Sequence, residues 1–179
     1  MTYILMGLGN PGEEYTNTRH NTGRLAVSAF EAGSDLSKKV KIIVPDTFMN
    51  LSGKAVKGVI KSKKAAEGLV VFRDDLDLPL GRVKMTFNRG AGGHKGVESV
   101  KRAVGTEGFI QIKIGISPAT PKGKIKKISG EDKVQKFILS DFKPAEKLIL
   151  KKVFKKINEG IEVLIKEGRE AAMNVINTQ

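Results

Sequence analysis

Apolar positions cluster in short runs through the first two thirds of the chain and recur at helical spacing in the last third. Tyr3–Leu8 is a short apolar run ending at Gly-Asn-Pro-Gly, which predicts a buried strand that delivers a loop. Leu25–Phe30 predicts a short helix, and Val40–Val44 a second strand stopped by Pro45. Ser52 stands as the N-cap of a helix running on to Ile60. Leu69–Phe72 and Arg82–Phe87 predict further strands, and Phe109–Ile116 alternates as a strand does. Between them, Val97, Val100 and Val104 share one face of a helix over Gly96–Val104. Pro118–Gly130, rich in Lys, Gly and Pro, reads as a mobile loop. From Pro144 onward, Leu150, Val153, Phe154, Ile157, Ile161, Leu164 and Ile165 recur every three or four residues, with lysines opposite, which predicts a long amphipathic helix. Strands alternating with helices predict an α/β domain, with helices flanking a twisted, mostly parallel (mixed) sheet. With 179 residues and no internal repeat, the chain fits a single domain over residues 1–179.

Composition narrows the chemistry. The chain has no cysteine, which removes disulfides and thiolate metal sites, and its two histidines argue against a histidine-rich zinc centre. No apolar run reaches the about 20 residues of a membrane span, and the start carries no basic leader, so the expected location is the cytoplasm. Lys and Arg number 32 against 19 Asp and Glu, a net charge of +13. Such an excess suggests a polyanionic partner, nucleic acid ahead of a membrane, although a solubilising surface would show the same balance.

Gly7-Leu-Gly-Asn-Pro-Gly12 spells a dinucleotide-binding G-x-G-x-x-G after a strand. That fold needs a helix to open on the third glycine and hold the pyrophosphate. Here Glu13 and Glu14 follow, which repel phosphate, and no apolar face of helical period comes after them. The nicotinamide reading is accordingly weak.

Polar clusters at or near the predicted strand ends carry the stronger signal: Asn10, His20-Asn21, Asn50, and Asp74-Asp75-Leu-Asp77. Loops at the carboxyl ends of α/β strands converge on the ligand crevice. His20 precedes a predicted helix, whose positive terminus disfavours imidazolium and favours the neutral ring that a general base requires. Asp74, directly after Leu69–Phe72, is the best partner to fix its tautomer, with Asp75 and Asp77 as alternatives. With no nucleophile elbow and no cysteine, activated water is favoured over a covalent intermediate, and asparagine side chains are suited to hold the water and a carbonyl. The structural alternative for His20 is a loop histidine that only caps or packs. His94, in Gly90-Ala-Gly-Gly-His-Lys-Gly96, sits in a glycine-rich loop suited to phosphate at a helix start, but the residue itself reads more simply as part of a tight turn.

Together these segments resemble the bacterial peptidyl-tRNA hydrolase family. Gly7 to Gly23 is similar to its first motif nearly residue for residue, and Pro45-Asp-Thr-Phe-Met-Asn-Leu-Ser-Gly-Lys-Ala-Val56 to its second. Asp74-Asp-Leu-Asp-Leu-Pro-Leu-Gly81, Gly92-Gly-His-Lys-Gly96, Phe137-Ile-Leu-Ser-Asp-Phe142 and Ala172-Met-Asn-Val-Ile-Asn177 follow in order. The resemblance implies a monomer without metal or cofactor that hydrolyses the ester between a peptide and the 3′ ribose of tRNA, recycling tRNA from aborted translation. It implies His20 as base, Asp74 as the residue holding it in basic form, and Asn10 as a discriminator of blocked from free aminoacyl groups. Tyr15, Phe48 and Asn50 would line the tRNA end or peptide, and Lys113 would clamp a tRNA phosphate. Arg89, beside the glycine loop, is a further candidate phosphate contact.

This chain departs from the family pattern in two places. Lys95 stands where the family has Asn, so an amide that donates and accepts has become a cation that only donates, a change that would either weaken the positioning of water or strengthen phosphate binding. The stretch from Asn21 to Val44 is shorter than its family counterpart, which carries another strand, so one sheet edge is expected to be trimmed. The competing class is an RNA-binding module without hydrolysis. His20 and Asp74 favour the enzyme, and Lys95 is the feature that favours the binder.

Overall fold

In the computed structural model, which describes residues 2–178, the first apolar run is strand β1 (Ile4–Gly7). The loop after it passes through single 3-10 turns, Glu13–Tyr15 and Arg19–Asn21, into helix α1 (Thr22–Gly33). Next come β2 (Lys41–Ile43), the short helices α2 (Lys54–Lys57) and α3 (Lys63–Ala66), β3 (Leu69–Pro79) and β4 (Val83–Phe87). Helix α4 (Lys95–Val104) leads to β5 (Ile110–Ser117), and α5 (Glu131–Ile138), α6 (Pro144–Glu167) and α7 (Arg169–Asn177) complete the chain.

The five strands lie in the order β2-β1-β3-β5-β4. All neighbours run parallel except β4, which is antiparallel to β5, so the sheet is mixed as expected. Alternate side chains feed two cores. Leu5, Val70, Phe72 and the isoleucines at 110, 112, 114 and 116 pack with Phe30 of α1, Ile157 and Ile161 of α6, and Ile176 of α7. Met6, Leu8, Leu69 and Val71 face the other way, against Val56 of α2 and Val97 and Val100 of α4. Each large side chain so buried contributes roughly 1.5–3 kcal/mol.

Several elements differ from the sequence expectation. Ser52 does not cap a helix: its hydroxyl donates to the Met49 carbonyl at 2.8 Å. Helix α2 starts only after Gly53 and ends at Gly58, well short of Ile60. At Gly53 the α4 backbone comes so near that a Cβ would stand 2.1 Å from the Ser99 carbonyl oxygen, which fixes where α2 can begin. Strand β3 runs on past Phe72 to Pro79 because β5 keeps pairing with it as far as Ser117. Helices α5 and α7 were not anticipated. Gly168, at φ 95°, separates α7 from α6. The 118–130 stretch is a loop, closed on itself by a bridge between Ala119 and Ile125. At the β4 edge of the sheet, the Asn177 side chain acts as a substitute strand, accepting from Met85 N–H at 2.7 Å and donating to its carbonyl at 3.0 Å.

Candidate active site

Chain order leaves β1 for β2 on one side and returns to β3 on the other, so the switch point of the sheet lies between β1 and β3. Ligands of open α/β sheets bind at the carboxyl ends of strands at such a point. Here the crevice is opened further because β1 stops at Gly7, opposite Phe72, while β3 continues. Asp74 thus stands past the end of β1, where a side chain can approach it from either face of the sheet.

The glycines of Gly7-Leu-Gly-Asn-Pro-Gly12 serve this geometry and not a dinucleotide. A Cβ on Gly7 would lie 2.8 Å from the Gly23 carbonyl oxygen, and one on Gly23 would lie 2.2 Å from that of Phe72. Only glycines let the start of α1 settle onto β1 and β3. Gly12 is followed by the single 3-10 turn Glu13–Tyr15, with no long helix to hold a pyrophosphate. Asn21 then ties the β1 loop to the turn before α1: its Oδ1 accepts from Asn10 N–H at 2.8 Å and its Nδ2 donates to the Asn10 carbonyl at 2.9 Å.

His20, in that turn, brings Nδ1 to 3.0 Å from both carboxylate oxygens of Asp74. From the other face, His94 brings Nε2 to 2.9 Å from Asp74 Oδ1. The tautomers follow from the partners. His94 is the N-cap of α4, and its Nδ1 accepts from Val97 N–H at 3.4 Å, so its proton sits on Nε2 and is donated to Asp74. In neutral His20 the proton facing Asp74 is on Nδ1, which leaves Nε2 as a free lone pair. The three side chains offer ligand-type atoms within 4.8 Å of one another. The ring protons occupy the space between them, so hydrogen bonding accounts for the approach.

Electrostatics follow from this arrangement. Asp74 is only 3% exposed. Burial favours its neutral form, yet the two imidazoles and their hydrogen bonds hold its carboxyl well below the usual carboxylate range. For His20, burial works against the charged ring, but the Asp74 charge and hydrogen bond outweigh it and raise the pKa above 6.5, while Lys95 pulls back. The expectation that a helix terminus would keep this ring neutral is therefore corrected: the carboxylate dominates. His94 differs because its deeper burial prevails over Asp74, and His20 and Arg73 add positive charge, so its pKa is lowered.

The neighbouring acids have other work. Asp75 Oδ1 accepts from Asp77 N–H at 2.8 Å, and Oδ2 lies 3.3 Å from Arg73 Nη2 and 3.8 Å from Lys113 Nζ. Asp77 is exposed. Of the three candidate acids, Asp74 is the one hydrogen-bonded to His20.

A cleft of about 680 Å³ opens over the pair, lined by Asn10, His20, Phe48, Asn50, Asp74 and Lys95 among others. Asn10 Oδ1 is engaged by Met49 N–H at 2.8 Å, which leaves its Nδ2 donor for the cleft. Phe48 is 55% exposed, with Tyr15 edge-on to it at 6.4 Å between ring centroids. Arg89 and Lys113 do not reach the cleft. They line an adjoining groove with Lys84 and Arg169, and Gly92 borders both spaces. Sequence reasoning underrated His94, which reaches Asp74 as closely as His20 does. It also missed Arg73 and the far wall of the cleft, formed by Val134, Gln135, Ile138 and Leu139. A histidine placed directly before a predicted helix, as His20 also is, was the available signal for His94. Nothing local marks the far wall, which depends on a tertiary contact. Among the described residues, no helix is long and apolar enough to cross a membrane.

Known proteins resemble this chain in sequence and in fold. Residues 4–179 match the family model of peptidyl-tRNA hydrolase. The peptidyl-tRNA hydrolase of Thermodesulfovibrio yellowstonii is 38% identical over 193 residues, spanning 97% of this chain and 98% of that protein. That of Caldicellulosiruptor saccharolyticus is 39% identical over 195 residues, spanning 99% and 97%. The crystal structure of peptidyl-tRNA hydrolase from Acinetobacter baumannii shares the fold, with a TM-score of 0.84 at 24% identity over 99% of this chain and 95% of that one.

Proposed function

The chain belongs to the peptidyl-tRNA hydrolase family, and on that premise we propose that it cleaves the ester joining a peptide to the 3′ ribose of tRNA, with His20 as general base. The observation that carries the mechanism is the His20–Asp74 pair, with Nδ1 held at 3.0 Å and Nε2 free. Nε2 takes a proton from water, and the resulting hydroxide attacks the ester carbonyl. Asp74 stabilises the imidazolium electrostatically while remaining ionised. As the tetrahedral intermediate collapses, the C–O bond to the ribose breaks and His20 returns the proton to the departing 3′ oxygen. The products are a peptide carboxylic acid, which loses its proton to solvent, and a tRNA with a free 3′ hydroxyl. His94 supports Asp74 from behind, fixing the carboxylate that fixes the base. By returning deacylated tRNA, the reaction recycles tRNA from aborted translation, and on this reading the protein works in the cytoplasm as a monomer.

Asn10 supplies selectivity. Met49 N–H engages its oxygen, and its Nδ2 is left available as a donor. An acyl carbonyl on the substrate nitrogen accepts from that donor, whereas a free α-ammonium cannot. Phe48 offers an exposed ring for stacking on a terminal base, supported edge-on by Tyr15, and Asn50 adds a polar contact on the same lip. Lys95 meets a phosphate or the ester within the cleft, and Arg89 and Lys113 meet phosphates farther along the tRNA.

The test is incubation with N-acetyl-aminoacyl-tRNA and measurement of released N-acetyl amino acid. His20→Ala is expected to cut turnover at least about 10²-fold while tRNA binding persists. Near-normal turnover in that variant removes His20 from the mechanism. Tight tRNA binding without release by the parent protein would turn the reading to an RNA-binding module.

A further inference from the structure

The far wall of the cleft is held in an unusual way. Helix α5 contributes Val134, Gln135 and Ile138 to that wall, yet none of its residues is fully buried. Its apolar side chains Phe137 and Ile138 touch the core only partly. What joins this segment to the body is concentrated on Arg19, the residue before His20 in the same 3-10 turn.

Arg19 is 4% exposed, and every hydrogen bond of its two terminal nitrogens goes to the α5–α6 junction, while Nε is buried without a partner. Nη1 donates to the Ser140 hydroxyl at 2.9 Å, to the Ser140 carbonyl at 3.2 Å and to the Asp141 carbonyl. Nη2 donates to both oxygens of Glu146, at 3.0 and 2.7 Å. The guanidinium lies 4.6 Å from the ring centroid of Phe137 and 5.1 Å from that of Phe142. The backbone repeats the connection: Arg19 N–H donates to the Ser140 carbonyl at 3.0 Å, and Phe142 N–H to that of Asn17 at 3.1 Å. Glu146 also caps α6, accepting from Lys143 N–H at 2.7 Å, so a single carboxylate joins the base-bearing turn to the helix after the wall.

We propose that Arg19 is a positioning residue for hydrolysis, latching the α5 wall to the turn that carries His20 so that the wall stands ready to bind substrate beside the base. This rests on the hydrolase reading given above. A lysine cannot reproduce the latch, because it lacks the planar fork that engages two carboxylate oxygens and two carbonyls while stacking on aromatic rings. The latch acts on binding and not on the proton: the Arg19 cation is paired with Glu146, whereas the His20 proton is governed by Asp74.

The experiment combines steady-state kinetics on N-acetyl-aminoacyl-tRNA with backbone hydrogen exchange of the full chain, for Arg19→Gln, Arg19→Lys and Glu146→Gln. In Arg19→Gln, KM is expected to rise about tenfold with kcat little changed, as when uniform binding is lost. The acidic limb of the pH–rate profile should stay in place. Exchange should quicken across residues 131–142, while β1, β3 and β5 keep their protection. Arg19→Lys and Glu146→Gln should fall between that variant and the parent. Unchanged KM with lowered kcat, a displaced acidic limb, or unaltered exchange in α5 would each overturn the proposal. Should Arg19→Gln fail to fold, Glu146→Gln decides by the same readouts. A parent protein that released no N-acetyl amino acid would sink the hydrolase reading, and positioning for hydrolysis with it, whereas the exchange data would still report whether the latch exists.

Discussion

Asp74 receives ring N–H groups from both faces of the sheet, and the three groups do not titrate alike. Below its pKa His20 is protonated and cannot act as a base, so activity falls as pH drops through that value. Because Asp74 raises it above 6.5, the acidic limb of the rate profile should lie above the ordinary histidine range. Asp74→Asn removes the charge that raises it, so that limb should move to lower pH even as maximal turnover falls. Lys95 acts oppositely: as a cation near His20 it lowers the ring's pKa, disfavouring imidazolium. Lys95→Asn should therefore shift the limb to higher pH and raise turnover, since a stronger base accepts the water proton more readily, with slightly weaker tRNA binding. A pH–rate profile of each variant checks both signs. If Lys95→Asn loses only tRNA affinity, with the limb and turnover unmoved, Lys95 belongs to phosphate binding alone.

Helices and strands set where these residues stand, and the fold edge offers a test free of the chemistry. Asn177 pairs with Met85 through two hydrogen bonds and closes part of the exposed β4 edge. Asn177→Ala should cost about 1–3 kcal/mol in urea unfolding, because a strand N–H and C=O lose their partner, while kcat stays near that of the parent. A stability unchanged within error would show that water replaces the amide freely. This contact also shows what local pattern conceals. The sheet strands and α6 were legible because short apolar runs and a period of three to four residues report burial directly. The continuation of β3 was not, since Arg73, Asp74 and Asp75 look like a polar loop until β5 is placed beside them. Likewise α5 carries too few apolar residues to announce itself, and α7 is short, with only Ala172 and Ile176 buried. Ser52 misled because a hydroxyl before a helical stretch reads as a cap, whereas here it bonds backward to Met49. At the site, His20, Asp74, Asn10, Phe48 and Asn50 were legible as polar or aromatic residues near strand ends or in family motifs. His94 was underrated because nothing local shows that α1 and α4 start on opposite sides of one carboxylate.

At the scale of the whole molecule, the net charge of +13 acquires meaning only from where cations stand relative to the cleft. Lys95 lies within it, while Arg89 and Lys113 line the groove that adjoins it at Gly92. A tRNA whose acylated end enters the cleft would meet these cations at different phosphates, and each phosphate neutralised releases counterions. Loss of one such contact should weaken tRNA binding and reduce the slope of log affinity against log salt by about one, with little change in sequence preference. The contributions should be unequal. Lys113 is already 3.8 Å from Asp75, and burial and Arg73 lower its pKa, so part of its charge is answered within the protein. Arg89 is exposed. Arg89→Ala should accordingly lower the salt slope more than Lys113→Ala, and both should raise KM more than they lower kcat, because neither residue reaches His20. Binding isotherms for tRNA at several salt concentrations check the ordering. Salt-insensitive binding would contradict a phosphate-led interface, and a larger effect from Lys113 would mean that tRNA draws this side chain away from Asp75.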